Sequence, residues 1–129
     1  LLLDPEFGEA HGSLAKALVR LGRGGEALVH FEAAVRYAPD WVEARFGLGN
    51  AYAQAGRFGE AERQYRAVVA AEPGNHLARA NLGNVLLVTG RAAEAIAQYE
   101  EVLRARPEDG AVRENLAQAR RMLGAERGR

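Results

Sequence analysis

A chain of 129 residues with 48% hydrophobic and 26% charged residues is long enough to bury a core and falls within the range of one soluble domain. Seventeen basic residues balance seventeen acidic ones, which removes any general pull toward nucleic acid or an anionic membrane. Cysteine is absent, so disulfide frameworks, thiolate catalysis and cysteine-held zinc or iron–sulfur sites are excluded.

From the N-terminus, Leu1, Leu2 and Leu3 form a short apolar run that Asp4 and Pro5 end, far short of the ~20 residues of a membrane span. No membrane insertion by this segment is expected, and no targeting signal is visible. Beyond it, apolar residues recur at i, i+3, i+4 and i+7, and the pattern predicts helices over 8–21, 25–37, 41–55, 58–71, 76–89, 92–105 and 109–124. Gly22, Gly56 and Gly90 stand where the first helix of each pair stops, at positions suited to a left-handed cap. Pro39, Pro73 and Pro107 stop the second helices. Asp40, Asn75 and Asp109 are candidate N-caps, and Asp40 with Glu43 fits a capping box. In the last helix Val112, Leu116, Ala119 and Leu123 form an inward stripe and Arg113, Glu114, Gln118, Arg120 and Arg121 a polar outer face, as a terminal cap requires. Residues 125–129 read as a frayed tail.

The landmarks keep a 34-residue step. Leu48-Gly49-Asn50 returns as Leu82-Gly83-Asn84. Gly22-Arg23, Gly56-Arg57 and Gly90-Arg91 recur in phase, as do Ala27, Ala61 and Ala95, then Phe31, Tyr65 and Tyr99. With Leu48-Gly49, Tyr52, Gly56, Ala61, Tyr65 and Pro73 in this order, the chain resembles the tetratricopeptide-repeat family. The resemblance implies an all-α fold of tandem helix–turn–helix repeats, a right-handed superhelical solenoid, with repeats over 8–41, 42–75 and 76–109, a capping helix over 110–124 and a tail over 125–129. Ala15 stands for the family's usual glycine, Leu18 for its tyrosine, and His11, Arg45 and Arg79 for the tryptophan near each repeat start. Pro5 is in phase with Pro39, so residues 1–7 read as the remnant of a preceding repeat, with further repeats or another domain expected upstream.

Little points to catalysis. His11, His30 and His76 lack a second ligand at i+3 or i+4 on their own helices, and Ser13 and Thr89 lack a base or an oxyanion loop. The expectation is a non-enzyme with no cofactor and no metal. Such repeats bind other proteins, and the resemblance implies a concave groove lined by the first helix of each pair, here Lys16, Phe46, Asn50, Gln54, Asn81, Asn84, Asn115, Gln118 and Met122. Side-chain amides each carry a donor and an acceptor, so they can bracket a peptide backbone or, equally, tie neighbouring helices together. Family members that grip the C-terminal carboxylate of chaperones use a basic clamp at positions that here read Gly12, Lys16, Gly47, Leu77 and Asn81, and only Lys16 is basic. No carboxylate clamp is expected. The reading is a scaffold or adaptor that binds a protein or peptide and no nucleic acid. Its alternatives are a substrate-binding or regulatory domain of a larger enzyme such as a glycosyltransferase, and a self-assembly module. Leu1, Leu2, Leu3, Phe7, Leu14 and Leu18 make self-association through the N-terminal end an expectation. Sixteen arginines against the single Lys16 suggest a bacterial source, and the cytoplasm, with the periplasm as alternative, is the expected compartment.

Overall fold

A computed structural model describes residues 4–128. Its helices are α1 Pro5–Arg20, α2 Gly24–Tyr37, α3 Val42–Gln54, α4 Phe58–Ala71, α5 His76–Val88, α6 Ala92–Ala105 and α7 Gly110–Arg127, and no strand occurs among the described residues. They fall into two compact units, Leu1–Ala71 and Glu72–Arg129. In the first, α1 pairs with α2 and α3 with α4, while α3 also packs on α2. In the second, α5 pairs with α6, and α7 lies on α6 and touches α5.

The helix ends follow from local chemistry. Gly22, Gly56 and Gly90 adopt φ of 76°, 75° and 81°, a region costly for any residue with a Cβ. Each closes the same motif. In the middle hairpin Arg57 N–H donates to the Tyr52 carbonyl at 2.9 Å and Gly56 N–H to that of Ala53 at 3.1 Å, so two orphan carbonyls of α3 are satisfied. At the N-termini, Asn75 and Asp109 accept from the amides of Ala78 at 3.0 Å and Val112 at 3.1 Å, as expected.

The capping box expected at Asp40 and Glu43 does not form. Trp41 N–H turns back to the Ala38 carbonyl at 3.0 Å, which makes Trp41 the N-cap of α3, without a side-chain cap. Asp40 is then one residue too early and Glu43 one position short of the site that reaches back. Glu43 instead accepts from Lys16 Nζ at 2.7 Å. The Trp41 ring lies over Gly12, where an added Cβ would stand 2.4 Å from the indole. Two boundaries also differ. Asp4 caps α1 by accepting from Phe7 N–H at 3.1 Å, so Pro5 occupies the first turn, where its missing N–H costs nothing. At the other end α7 runs to Arg127, through most of the expected tail. Leu1, Leu2, Leu3 and Arg129 lie outside the described residues.

The core alternates small and large side chains. Ala27, Ala61 and Ala95 are fully buried and let the paired helices approach, and Phe31, Tyr65 and Tyr99 fill the space beside them. The Leu-Gly-Asn motif belongs to the tyrosine that follows it. A Cβ on Gly49 would meet Tyr65 Cε1 at 2.7 Å, and one on Gly83 would meet Tyr99 Cε1 at 2.6 Å. The neighbouring Asn50 and Asn84 each accept the buried phenol's hydroxyl proton at 2.6 Å. Only glycine admits the ring, and the asparagine satisfies its polar tip. The first hairpin drops both requirements together. Phe31 has no hydroxyl, Ala15 and Lys16 stand in place of glycine and asparagine, and the Phe31 ring presses on Gly47 of α3, where a Cβ would be 2.4 Å away.

The three residues standing for tryptophan have partners one helix away. Arg45 Nη1 donates to Gln64 at 3.1 Å and its Nε to the Pro39 carbonyl at 2.8 Å. Arg79 repeats this with Gln98 at 3.0 Å and the Pro73 carbonyl at 3.1 Å. In the first hairpin the same pair of positions holds His11 and His30, Nδ1 to Nδ1 at 3.0 Å, with Phe7 edge-on to His11 at 4.5 Å between centroids. These struts join the two helices of each hairpin. A further pair, Arg23–Glu26, Arg57–Glu60 and Arg91–Glu94, recurs at the start of every second helix. The arginine bond holds the Glu26 and Glu60 carboxyls below their usual range, but such exposed pairs contribute little to stability.

Candidate functional site: the α5–α7 cleft

In the second unit, α5 and α7 leave between them a cleft of about 440 Å³ lined by Asn84, Leu87, Val88, Asn115, Gln118 and Met122. Four of the residues expected from the sequence therefore meet in one place. Leu87 was not among the expected positions. It stands three residues after Asn84, which puts it on the same helical face, and that phase was the available signal.

The polar side of the cleft is partly committed. Asn84 Oδ1 accepts from Tyr99 Oη and also from Asn115 Nδ2 at 3.1 Å. These bonds fix both amides and leave Asn84 Nδ2 as a donor and Asn115 Oδ1 as an acceptor, with no partner among the described residues. Gln118 adds a third, exposed amide. Leu87, Val88 and the partly buried Met122 supply the apolar side. None of the six lining residues is charged, so the chemistry on offer is backbone-type hydrogen bonding beside one aliphatic contact.

The other expected site residues are placed differently. Asn50 receives the Tyr65 hydroxyl and Phe46 lies against the Tyr65 ring at 6.1 Å. Lys16 is paired with Glu43 and stands 5.9 Å from the Trp41 ring. Gln54, exposed at the end of α3, lies against Gly24, where a Cβ would be 3.3 Å from its Oε1. Asn81 is half-buried on α5 and outside the cleft lining. Two of the clamp positions, Gly12 and Gly47, are occupied from the far side by the Trp41 and Phe31 rings, so no longer side chain fits there without displacing them.

Two tyrosines give the fold an alkaline limit. Burial pushes Tyr99 up to about 12; burial and, next, the 2.8 Å hydrogen bond to Glu32 push Tyr52 up to about 12. The folded state thus favours the protonated phenol. Its stabilising share is whole below about pH 10, where unfolded tyrosine titrates, and is lost as pH rises through about 12. Urea midpoints should be level from pH 7 to 9 and fall above pH 10, and Tyr52→Phe should make that fall shallower.

Among the described residues no helix is long and apolar enough to cross a membrane, and no group of three or more metal-ligating side chains is assembled. Helical hairpins repeated in tandem, each closed by a glycine turn and filled by one aromatic ring, define an all-α tandem helical-repeat protein. The family model for the tetratricopeptide repeat matches residues 12–76, 47–110 and 80–126, and the chain belongs to that family. No curated protein matches it. Among solved structures it is similar to the first tetratricopeptide-repeat domain of Spaghetti (RPAP3) bound to the HSP90 peptide SRMEEVD, at 18% identity and a TM-score of 0.87, over 96% of this chain and 98% of that one. It is similar to MamA AMB-1 at 29% identity and a TM-score of 0.85, over 91% of this chain and 64% of that one. YrrB, a repeat protein with an unusual peptide-binding site, matches at 25% identity and a TM-score of 0.76, over 88% of this chain and 57% of that one. The chain thus spans less than two thirds of the MamA AMB-1 and YrrB chains.

Proposed function

We propose that this chain is a protein-interaction module, with repeats over 8–41, 42–75 and 76–109 and a capping helix over 110–124, that takes an extended peptide segment at the α5–α7 cleft. The observation that carries the reading is the uncharged lining. A free amide donor on Asn84 and a free acceptor on Asn115 suit a peptide C=O and N–H, and Leu87, Val88 and Met122 suit one aliphatic side chain of the ligand. Likeness to YrrB, which has a peptide-binding site, supports it. Lys16, Phe46, Asn50, Gln54 and Asn81 are proposed as further contacts on the exposed sides of α1, α3 and α5. A basic clamp for a terminal carboxylate has no place in this reading, because Gly12 and Gly47 leave no room for its side chains.

A peptide-display library selected on the whole chain supplies the test. Selected peptides should share an aliphatic residue rather than an acidic C-terminus. The double variant Gln118→Ala, Met122→Ala should weaken them at least fivefold, with a thermal melt within a few degrees of wild type and little sensitivity to salt. Undiminished binding to that variant would reject the cleft as the site.

A further inference from the structure

We propose that His11 and His30 form a binding site for a divalent transition-metal ion, copper(II) in first place, independent of the peptide reading. The later hairpins carry Arg45 with Gln64 and Arg79 with Gln98 at the same two positions, each joined through a guanidinium that brings its own protons. In the first hairpin both positions change together, and the two Nδ1 atoms stand 3.0 Å apart. The ring centroids are 5.2 Å apart with 25° between the planes, so the two nitrogens face each other. Two imidazole lone pairs repel at that distance unless a proton or a metal ion lies between them.

The spacing suits an ion. Nitrogens in adjacent coordination positions, each bonded at about 2.0–2.1 Å, stand about 2.8–3.4 Å apart. Turning the half-buried rings about their Cβ–Cγ bonds aims both lone pairs at an ion beside the line that joins them. Loading the neutral pair releases no net proton: the proton between the rings leaves its Nδ1 for water, and the same ring takes one up at Nε2. Phe7 lies edge-on to His11 at 4.5 Å and Tyr37 is stacked on it at 6.3 Å, which steadies that ring. Among the described residues no third metal-ligating side chain joins the pair, so water completes the sphere and the site exchanges its ion instead of enclosing it. Imidazole nitrogen with open positions ranks copper(II) first among the divalent ions. Access does not depend on the start of the chain. Arg45 and Gln64, in phase with the histidines, are also half-buried although α2 packs on α3, so a hairpin placed before another leaves these positions within reach of solvent.

Copper(II) titrated into the whole chain tests it. Electron paramagnetic resonance should show one ion per chain coupled to two imidazole nitrogens. His11→Arg with His30→Gln rebuilds the strut of the later hairpins and should lose that signal, with the far-UV circular dichroism of wild type. His30→Gln alone should also lose the two-imidazole signal, and His76→Ala should keep it. Copper bound equally by the rebuilt-strut variant would overturn the proposal, since the ion would then sit on His76 or on the N-terminal amine. So would a wild-type spectrum with one imidazole nitrogen or none.

Discussion

Replacing Tyr99 by alanine is expected to destabilise the fold by about 3–5 kcal/mol, the range for removing a large aromatic side chain from a core. The ring is fully buried, touches the Cα of Gly83 closely enough to forbid a side chain there, and ends on Asn84 Oδ1 at 2.6 Å. Alanine removes the packing and leaves Asn84 with one bond fewer. Tyr99→Phe separates the two contributions. It keeps the ring and loses only the hydroxyl bond, for about 0.5–1.5 kcal/mol, because Asn84 is exposed and can turn to water. Urea unfolding followed by circular dichroism reads both. Near-equal costs for the two variants would mean that the hydrogen bond, and not the ring, holds the α5–α6 hairpin. The phenylalanine variant bears on the cleft as well, since Tyr99 and Asn115 share the same acceptor.

Leu82→Ala is expected to lower stability by about 2–5 kcal/mol, with the spread set by how far the neighbours collapse into the gap. Leu82 is 1% exposed, and Ala78, Val85 and Leu86 are buried on the same helix, so little around it is free to move. The matched control is Leu77→Ala. It deletes the same atoms five residues earlier, where the side chain is 57% exposed, and should change stability by less than about 0.5 kcal/mol. A loss below that figure for Leu82→Ala in denaturant melts would remove it from the core.

Much of the architecture could be read from the chain because it is written in local periods. Apolar spacing along one helix, a glycine at each hairpin turn and an alanine–aromatic alternation recurring every 34 residues depend only on neighbours in sequence, so α2 through α6 fall within a few residues of their expected places. N-caps were legible for the same reason at Asn75 and Asp109, whereas the position in phase with them in the first repeat turn is Trp41, which has no capping side chain, and Asp40 stands one residue ahead of it. The asparagines show where local information stops. Asn50, Asn81, Asn84 and Asn115 look alike as letters. The structure separates them, because Asn50 and Asn84 receive tyrosine hydroxyls from fifteen residues away, and Asn115 reaches Asn84 across thirty-one.

The same limit applies to His11 with His30, to Arg45 with Gln64 and to Arg79 with Gln98, pairs nineteen residues apart that no scan along one helix can join. By itself the sequence determined the family, the helical hairpins and the absence of cysteine chemistry. Only the tertiary structure decided which side chains the amides of Asn50, Asn84 and Asn115 are tied to, that Gly12 and Gly47 make room for the Trp41 and Phe31 rings, and that four of the nine expected contact residues converge on one cleft. The physical reason is that hydrogen-bond partnership and packing are settled at the scale of an ångström by how one helix lies on the next, and a repeat period specifies phase along a helix without specifying that distance.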